Sequence, residues 1–306
     1  MACSGGGDST ALLLLLYSLS KDRSPGFPSS VGLVACHVAH GIRGKAGEED
    51  ALFVANLAAT LGIRFFLKRI DVPKHRRKGE SLEAAARRLR YDALLAVAGE
   101  IGERTLVATG HTLDDQAETV LLNLHRHTGR TRGGIRARRE DGVVRPLLLF
   151  TRADLRAFLS MRDIPWREDE TNENERLLRN RIRRRELPAL EAASPGTAAR
   201  LARAGEAWTR RLETLDREID AALAAAGIRA EGPWPRALVA RLGSEAAARL
   251  LVRAAGVRGG VPGRVQISRA IGRLFGGEAR LAESLAGLRL SADARVIRLT
   301  RGPSRP

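Results

Sequence analysis

Apolar runs of strand length alternate with helical periodicity through the first half of this chain. Residues 31–38 (VGLVACHV) form an apolar run, the pattern of a strand buried on both faces. Residues 48–61 then carry apolar positions at helical spacing, and Gly62 follows as a stop. Residues 63–70 predict a second strand, residues 81–98 a long helix with Gly99 just past its end. A short strand over 105–109, a helix over 113–124, a strand over 143–149 and a helix over 151–161 complete the series. This alternation predicts an α/β fold built on a doubly wound parallel sheet.

Beyond Pro188 the pattern changes. From Ser194-Pro195 to about Ala255 the periodicity is helical only, in a stretch rich in Ala, Leu, Arg and Glu. Residues 259–263 (GGVPG) read as a turn, and residues 285–299 alternate apolar and polar positions around 291–294, predicting a hairpin. A chain of 306 residues also exceeds the usual size of one domain. The expected organisation is therefore a domain over 1–190, followed by a smaller, mainly helical domain over 191–306 with a C-terminal hairpin.

Charge adds a partner class. The formal net charge is +17, a field that attracts polyanions and favours nucleic acid, although a generally basic solvated surface would carry the same charge. Aromatic residues make up only 4%, which argues against a broad base-stacking platform. The two cysteines, Cys3 and Cys36, have no CxxC spacing, so neither a disulfide framework nor a cysteine zinc site is expected. The apolar run over 12–16 is too short to span a bilayer. These features predict a soluble, cytoplasmic protein with no membrane partner.

The strongest local signal is Ser4-Gly5-Gly6-Gly7-Asp8-Ser9, followed by Thr10 and an apolar helix. Consecutive glycines let the backbone approach an anion, and the helix start adds free N–H groups and the positive end of its dipole. Ser4 and Ser9 bring hydroxyls, and Asp8 brings a carboxylate suited to Mg²⁺. A plain glycine turn with an Asp/Ser helix cap is the alternative. No Lys follows the glycines, so this is not a Walker A loop. Only Met1, Ala2 and Cys3 stand before the loop, fewer than a strand usually needs, which predicts a natural start further upstream.

A second cluster follows the strand over 105–109. His111, Asp114, Asp115 and Glu118 are spaced by three and four and share one helical face at the edge where open α/β sheets bind ligands. The functional reading is a cation site for Mg²⁺ or an ammonium group; the alternative is a capped, solvated helix start. Arg87 and Arg90 share a helix face and are candidates for phosphate or carboxylate contacts, against a salt-bridged surface. The Arg-rich block over 176–185 suits RNA phosphates.

The string SGGxDS resembles the signature of the PP-loop ATP pyrophosphatases. Four further stretches resemble the tRNA(Ile)-lysidine synthase family: HVAHGIR at 37–43, EAAARRLRY at 83–91, HTLDDQAET at 111–119, and EDETN at 168–172 with RNRIR at 179–183. Ala39 stands where that family usually has a polar residue, and the chain resembles its short form without an extra C-terminal domain. The resemblance implies an ATP-consuming carbon–nitrogen ligase. It would join free L-lysine to C2 of the wobble cytidine of tRNA(Ile) with a CAU anticodon, through an adenylated cytidine, changing codon reading from AUG to AUA.

The resemblance also suggests site roles. Ser4, Gly5, Gly6, Gly7, Asp8 and Ser9 would bind ATP, with Asp8 on Mg²⁺. Asp114, Asp115 and Glu118 would bind lysine, and Asp8, Asp115 and Glu118 would be catalytic. His40, Arg43, Arg87, Arg90, Arg179, Asn180, Arg181 and Arg183 would meet phosphate or tRNA. The 191–306 domain would grip tRNA, and a homodimer is left open. The rival readings are a PP-loop enzyme that thiolates a tRNA base, and a nucleotide-binding protein without catalysis.

Overall fold

The computed structural model of this chain describes residues 1–22, 31–40, 45–126, 133–168 and 178–301. It divides into two compact units, Met1–Gln116 with Arg136–Glu186, and Ala117–Ile135 with Leu187–Pro306.

In the first unit, helix α1 (Gly7–Lys21) follows the glycine-rich loop, and strand β1 (Val34–Ala39) leads to α2 (Lys45–Thr60) and β2 (Arg64–Arg69). A single turn, α3 (Val72–His75), precedes the long α4 (Leu82–Ile101), and β3 (Val107–Ala108) precedes α5 (Leu113–His125). β4 (Val143–Val144), α6 (Arg152–Ser160) and α7 (Leu178–Arg181), which runs into one π-helical turn (Ile182–Glu186), complete the unit.

β1 pairs with β2 and β3 with β4, all parallel. Met1–Cys3 lie between these two pairs: the Ala2 N–H donates to Ala108 O (2.9 Å), and the Cys3 N–H donates to Cys36 O (2.9 Å). The parallel order is thus β2, β1, the N-terminal residues, β3, β4, in short pieces. The expected strand over 143–149 ends at Val144, close to Pro146, which has no N–H to give a ladder.

Helices cover both faces of these strands. α4 packs Tyr91, Leu94 and Val97 on Cys36, Val38, Val107 and Val143. On the other face α1 and α6 pack Leu12, Leu14, Leu155 and Leu159 around Ala108, while Leu13 meets Ala35 and the α2 residues Val54 and Ala58. Leu12 and Leu13 are 1% exposed, and burying such side chains contributes roughly 1.5–3 kcal/mol each. That burial explains why the glycine-rich loop is followed by five leucines: the helix it opens is a core element.

In the second unit, α8 (Leu187–Ala193) precedes α9 (Thr197–Ala225), α10 (Arg236–Val257) and α11 (Arg264–Phe275). The unbroken helical stretch expected up to Ala255 is interrupted between α9 and α10, where β5 (Trp234–Pro235) lies. An antiparallel sheet of order β5-β8-β7-β6 adds β6 (Leu281–Leu285), β7 (Leu288–Ala292) and β8 (Val296–Arg301). The hairpin expected near 291–294 is β7–β8, and β6 extends it. Trp234, Leu250, Leu290 and Ile297 form a core between sheet and helices. The chain from Ala117 within α5 to Ile135 belongs here too: Gly134 N–H donates to Thr209 Oγ1 (2.8 Å), and Asn123 Nδ2 to Gly133 O (2.9 Å). Among the described residues no helix is long and apolar enough to cross a membrane.

Candidate active site

The glycine loop is rigid by its own hydrogen bonds. Ser9 Oγ donates to Gly6 O (3.0 Å) and accepts from the Ser4 N–H (3.1 Å), and Thr10 Oγ1 donates to Gly5 O (3.2 Å). The hydroxyls expected to face phosphate therefore also shape the loop. Gly5 sits at φ +90°, a conformation that glycine adopts without steric cost. The Arg167 N–H donates to Gly5 O (2.9 Å), and the Arg167 guanidinium reaches Glu49 (2.7 Å) and Asp50 (3.1 Å) at the start of α2. Arg167 thus braces the loop from the side, a role no motif announced.

Gly110 braces it from the other side. A Cβ at that position would lie 3.0 Å from Asp8 O and 3.2 Å from Ser9 N. Only the absence of a side chain lets the segment after β3 pass this close to the loop backbone. The sequence places Gly110 directly before His111, but nothing local signals that contact.

Three helix starts gather here at the carboxyl ends of the parallel strands: α1 with Asp8, α5 with Asp114 and Asp115, and α6 with Arg152. Arg152 was not among the sequence candidates. Its Nη2 donates to Asp115 Oδ1 at 2.6 Å, its Nε lies 3.5 Å from Asp8 Oδ2, and its backbone N–H donates to Asp114 Oδ2 at 2.8 Å. Arg183 Nη2 (3.2 Å) and Arg179 Nη2 (3.6 Å) approach the same Asp115 oxygen. The other Asp115 oxygen accepts from the Thr112 N–H (2.9 Å) and hydroxyl (3.1 Å).

These contacts set the protonation states. Burial opposes ionisation of Asp115, but Arg152, the Thr112 N–H, His111 and Arg179 outweigh it and hold the carboxyl at about 2. Asp8 goes the other way: burial raises it, Arg152 and Arg183 pull it down, and Asp115 and Asp114 push it up again. His111, whose Nδ1 shares a 2.9 Å hydrogen bond with Thr109 Oγ1, is lowered to about 3 by burial; Asp115 opposes this and Arg145, Arg87 and Arg90 reinforce it. Among the described residues, then, neutral His111 stands beside an ionised Asp115.

The remaining candidates are distributed as follows. Arg87 (5.3 Å) and Arg90 (5.9 Å) stand over the ring of Tyr91, and Arg145 Nη2 donates to its hydroxyl (3.4 Å). Burial works to raise the Tyr91 phenol, yet Arg87, Arg145 and Arg90 bring it below its usual value. Glu118, one turn beyond Asp115 on α5, is fully buried at 0% exposure. Asn180 and Arg181 lie on α7, where Arg181 pairs with Glu186 (3.2 Å). His40 directly follows β1, while Arg43 and residues 169–177 lie outside the described residues. Cys3 and Cys36 are core residues, and burial pushes the Cys3 thiol up to about 11.

With this geometry in view, the chain can be compared with known sequences. The profile of the PP-loop domain family matches residues 1–190. The chain belongs to the PP-loop family.

Among PP-loop relatives, the tRNA(Ile)-lysidine synthase of Thermus thermophilus is 44% identical over 224 residues, covering 73% of this chain and 41% of the relative. That of Geobacter sulfurreducens is 39% identical over 229 residues, covering 73% and 46%. The chain thus spans less than half the length of these curated relatives. In three dimensions it is similar to the U34-tRNA thiolase NcsA from Methanococcus maripaludis, with a TM-score of 0.54, covering 67% of this chain and 69% of that one. At 20% identity this likeness is one of fold.

Proposed function

We propose that this PP-loop protein joins lysine to C2 of the wobble cytidine of tRNA(Ile) with a CAU anticodon, in the manner named by its tRNA(Ile)-lysidine synthase relatives. The observation that carries the reading is the meeting of Asp8, Asp114 and Asp115 beside the phosphate loop under Arg152, Arg179 and Arg183. ATP binding alone has no need of a second acidic helix start; a reaction that must also hold an ammonium group does.

In the first step the cytidine C2 oxygen attacks the α-phosphorus of ATP, the bond to the β-phosphate oxygen breaks, and pyrophosphate leaves. The loop amides and the α1 dipole receive phosphate charge. Asp8 is the residue that would hold Mg²⁺. Its side chain is 31% exposed, and one carboxylate joined by phosphate oxygens suits a hard cation. Mg²⁺, when bound, neutralises phosphate charge. Arg179 and Arg183 are assigned to adding positive charge there, and Arg87 and Arg90 beside Tyr91 to meeting RNA phosphate.

In the second step the neutral lysine ε-amine attacks C2, the C2–O bond breaks, AMP leaves, and the amine proton passes to a carboxylate. Asp115, held ionised at about 2, is a weak base and a good partner for an ammonium group. Orientation is therefore assigned to Asp115 with Asp114, and proton transfer to Glu118. Glu118→Gln should slow lysine transfer at least tenfold while ATP affinity changes less than threefold; unchanged lysine turnover would refute the assignment. The unit containing Leu187–Pro306 is assigned to gripping the tRNA by charge and shape.

The thiolation reading is disfavoured by the cysteines, which are buried core residues with raised thiols rather than an accessible pair. The deciding experiment measures pyrophosphate release from ATP with total tRNA, with and without each amino acid. Stimulation by lysine, with labelled lysine entering RNA, supports the proposal. Release with tRNA but no lysine dependence keeps the adenylating enzyme and replaces the second substrate; ATP bound but never consumed leaves a nucleotide-binding protein.

A further inference from the structure

We propose that Arg152 is a positioning residue that fixes the spacing of the Asp8 and Asp115 carboxylates at the phosphate loop. It touches all three acids of the cluster: Asp115 through Nη2 (2.6 Å), Asp8 beside Nε (3.5 Å), and Asp114 through its backbone N–H (2.8 Å). Each acid belongs to a helix start, so without a cation between them α1 and α5 would present like charges to each other. The guanidinium is 19% exposed and turns Nη2 to the Asp115 carboxylate and Nε to that of Asp8.

Its backbone position is set without Asp8 and Asp115. Arg152 is the first residue of α6, behind a capping box in which Thr151 and Asp154 satisfy each other's N–H groups. The Leu113 N–H donates to Phe150 O (2.9 Å), which ties the start of α5 to the residues just before α6. Leu155 and Leu159 bury the far side of α6 against α1. The arginine is therefore presented by a braced helix end, and lysine, a single point charge on a flexible stem, would not bridge both carboxylates.

The functional part of this proposal rests on the ligase reading, and its test separates the two. Arg152→Met, Arg152→Lys, Asp115→Asn and the Met/Asn double variant are compared with wild type for ATP affinity by calorimetry and for pyrophosphate release with tRNA and lysine. Positioning predicts that Arg152→Met and Arg152→Lys each lower turnover at least tenfold while ATP affinity changes less than threefold. It also predicts that the double variant is no slower than the slower single one. Multiplying losses, full turnover in Arg152→Lys, or a loss confined to ATP affinity would overturn it.

A second arm needs no turnover. Urea unfolding of Arg152→Met combined with Asp115→Asn, and separately with Asp8→Asn, should show non-additive changes in the unfolding constant of at least threefold in both cycles. Additivity in both cycles overturns the bridge even in an active enzyme. If wild type consumes no ATP with any RNA or amino acid, the ligase reading fails, and these cycles alone decide whether Arg152 joins the two carboxylates.

Discussion

His111 and Asp115 sit four residues apart and make the protein acid-sensitive in two windows. His111 is lowered from 6.5 to about 3, chiefly by burial. An unfolded His111 takes its proton below about 6.5 while the folded one does not, so its contribution is present above that pH and is lost as pH falls toward 3, at up to about 1.4 kcal/mol per pH unit. Asp115 is lowered from 3.8 to about 2; its contribution is present above the unfolded value and is lost as pH falls through 2. Urea midpoints measured against pH should thus decline from pH 6.5 downward. His111→Gln should flatten the decline between 6.5 and 4, and an unaltered slope there would contradict this reading. Gly110→Ala tests packing at the same scale: with its Cβ 3.0 Å from Asp8 O, it should weaken ATP binding at least tenfold by calorimetry, because the obstacle is backbone.

At the scale of elements, the site depends on how helices begin. The α6 start is the most exposed to test. Thr151 Oγ1 accepts from the Asp154 N–H (3.0 Å), and Asp154 Oδ2 accepts from the Thr151 N–H (2.8 Å). Thr151→Ala should cost about 1 kcal/mol of stability in chemical denaturation. It should also slow turnover severalfold, since Arg152 is the next residue; a stability loss with unaltered turnover would separate the cap from the site. Helix ends were less legible than helix starts. Gly99 reads as a stop for α4, yet the helix continues to Ile101 because Val97 and Ala98 are packed on the strands. Packing of the last turn outweighed the roughly 1 kcal/mol that glycine costs within a helix.

For the whole molecule, the net charge of +17 is a quantity that the fold redistributes but cannot remove. Some of the 52 basic residues are internally paired, as where Arg249 binds Asp216 (2.6 Å) and Arg253 binds Asp220 (2.7 Å) between α9 and α10. The remainder should give tRNA binding a steep salt dependence, with log affinity falling against log salt at a slope of about −3 or steeper. Fluorescence anisotropy of labelled tRNA across salt concentrations measures it, and a slope near zero would remove phosphate contacts as the main source of affinity.

The glycine loop with its helix, the acidic start of α5 and the strand–helix alternation were legible in the sequence because each is local: glycine torsions, i,i+3 and i,i+4 spacing, and buried periodicity act over a few residues. The four-stranded sheet behind α9 and α10 was only half legible, since β5 is two residues long and pairs with β8 more than sixty positions away. Arg152, Arg167 and Gly110 were not legible at all. An arginine at a helix start, an arginine after a tryptophan and a glycine in a loop are common on any surface. Only the parallel sheet, by bringing the ends of distant strands to one edge, decided that these residues meet Asp8, Gly5 and Asp115.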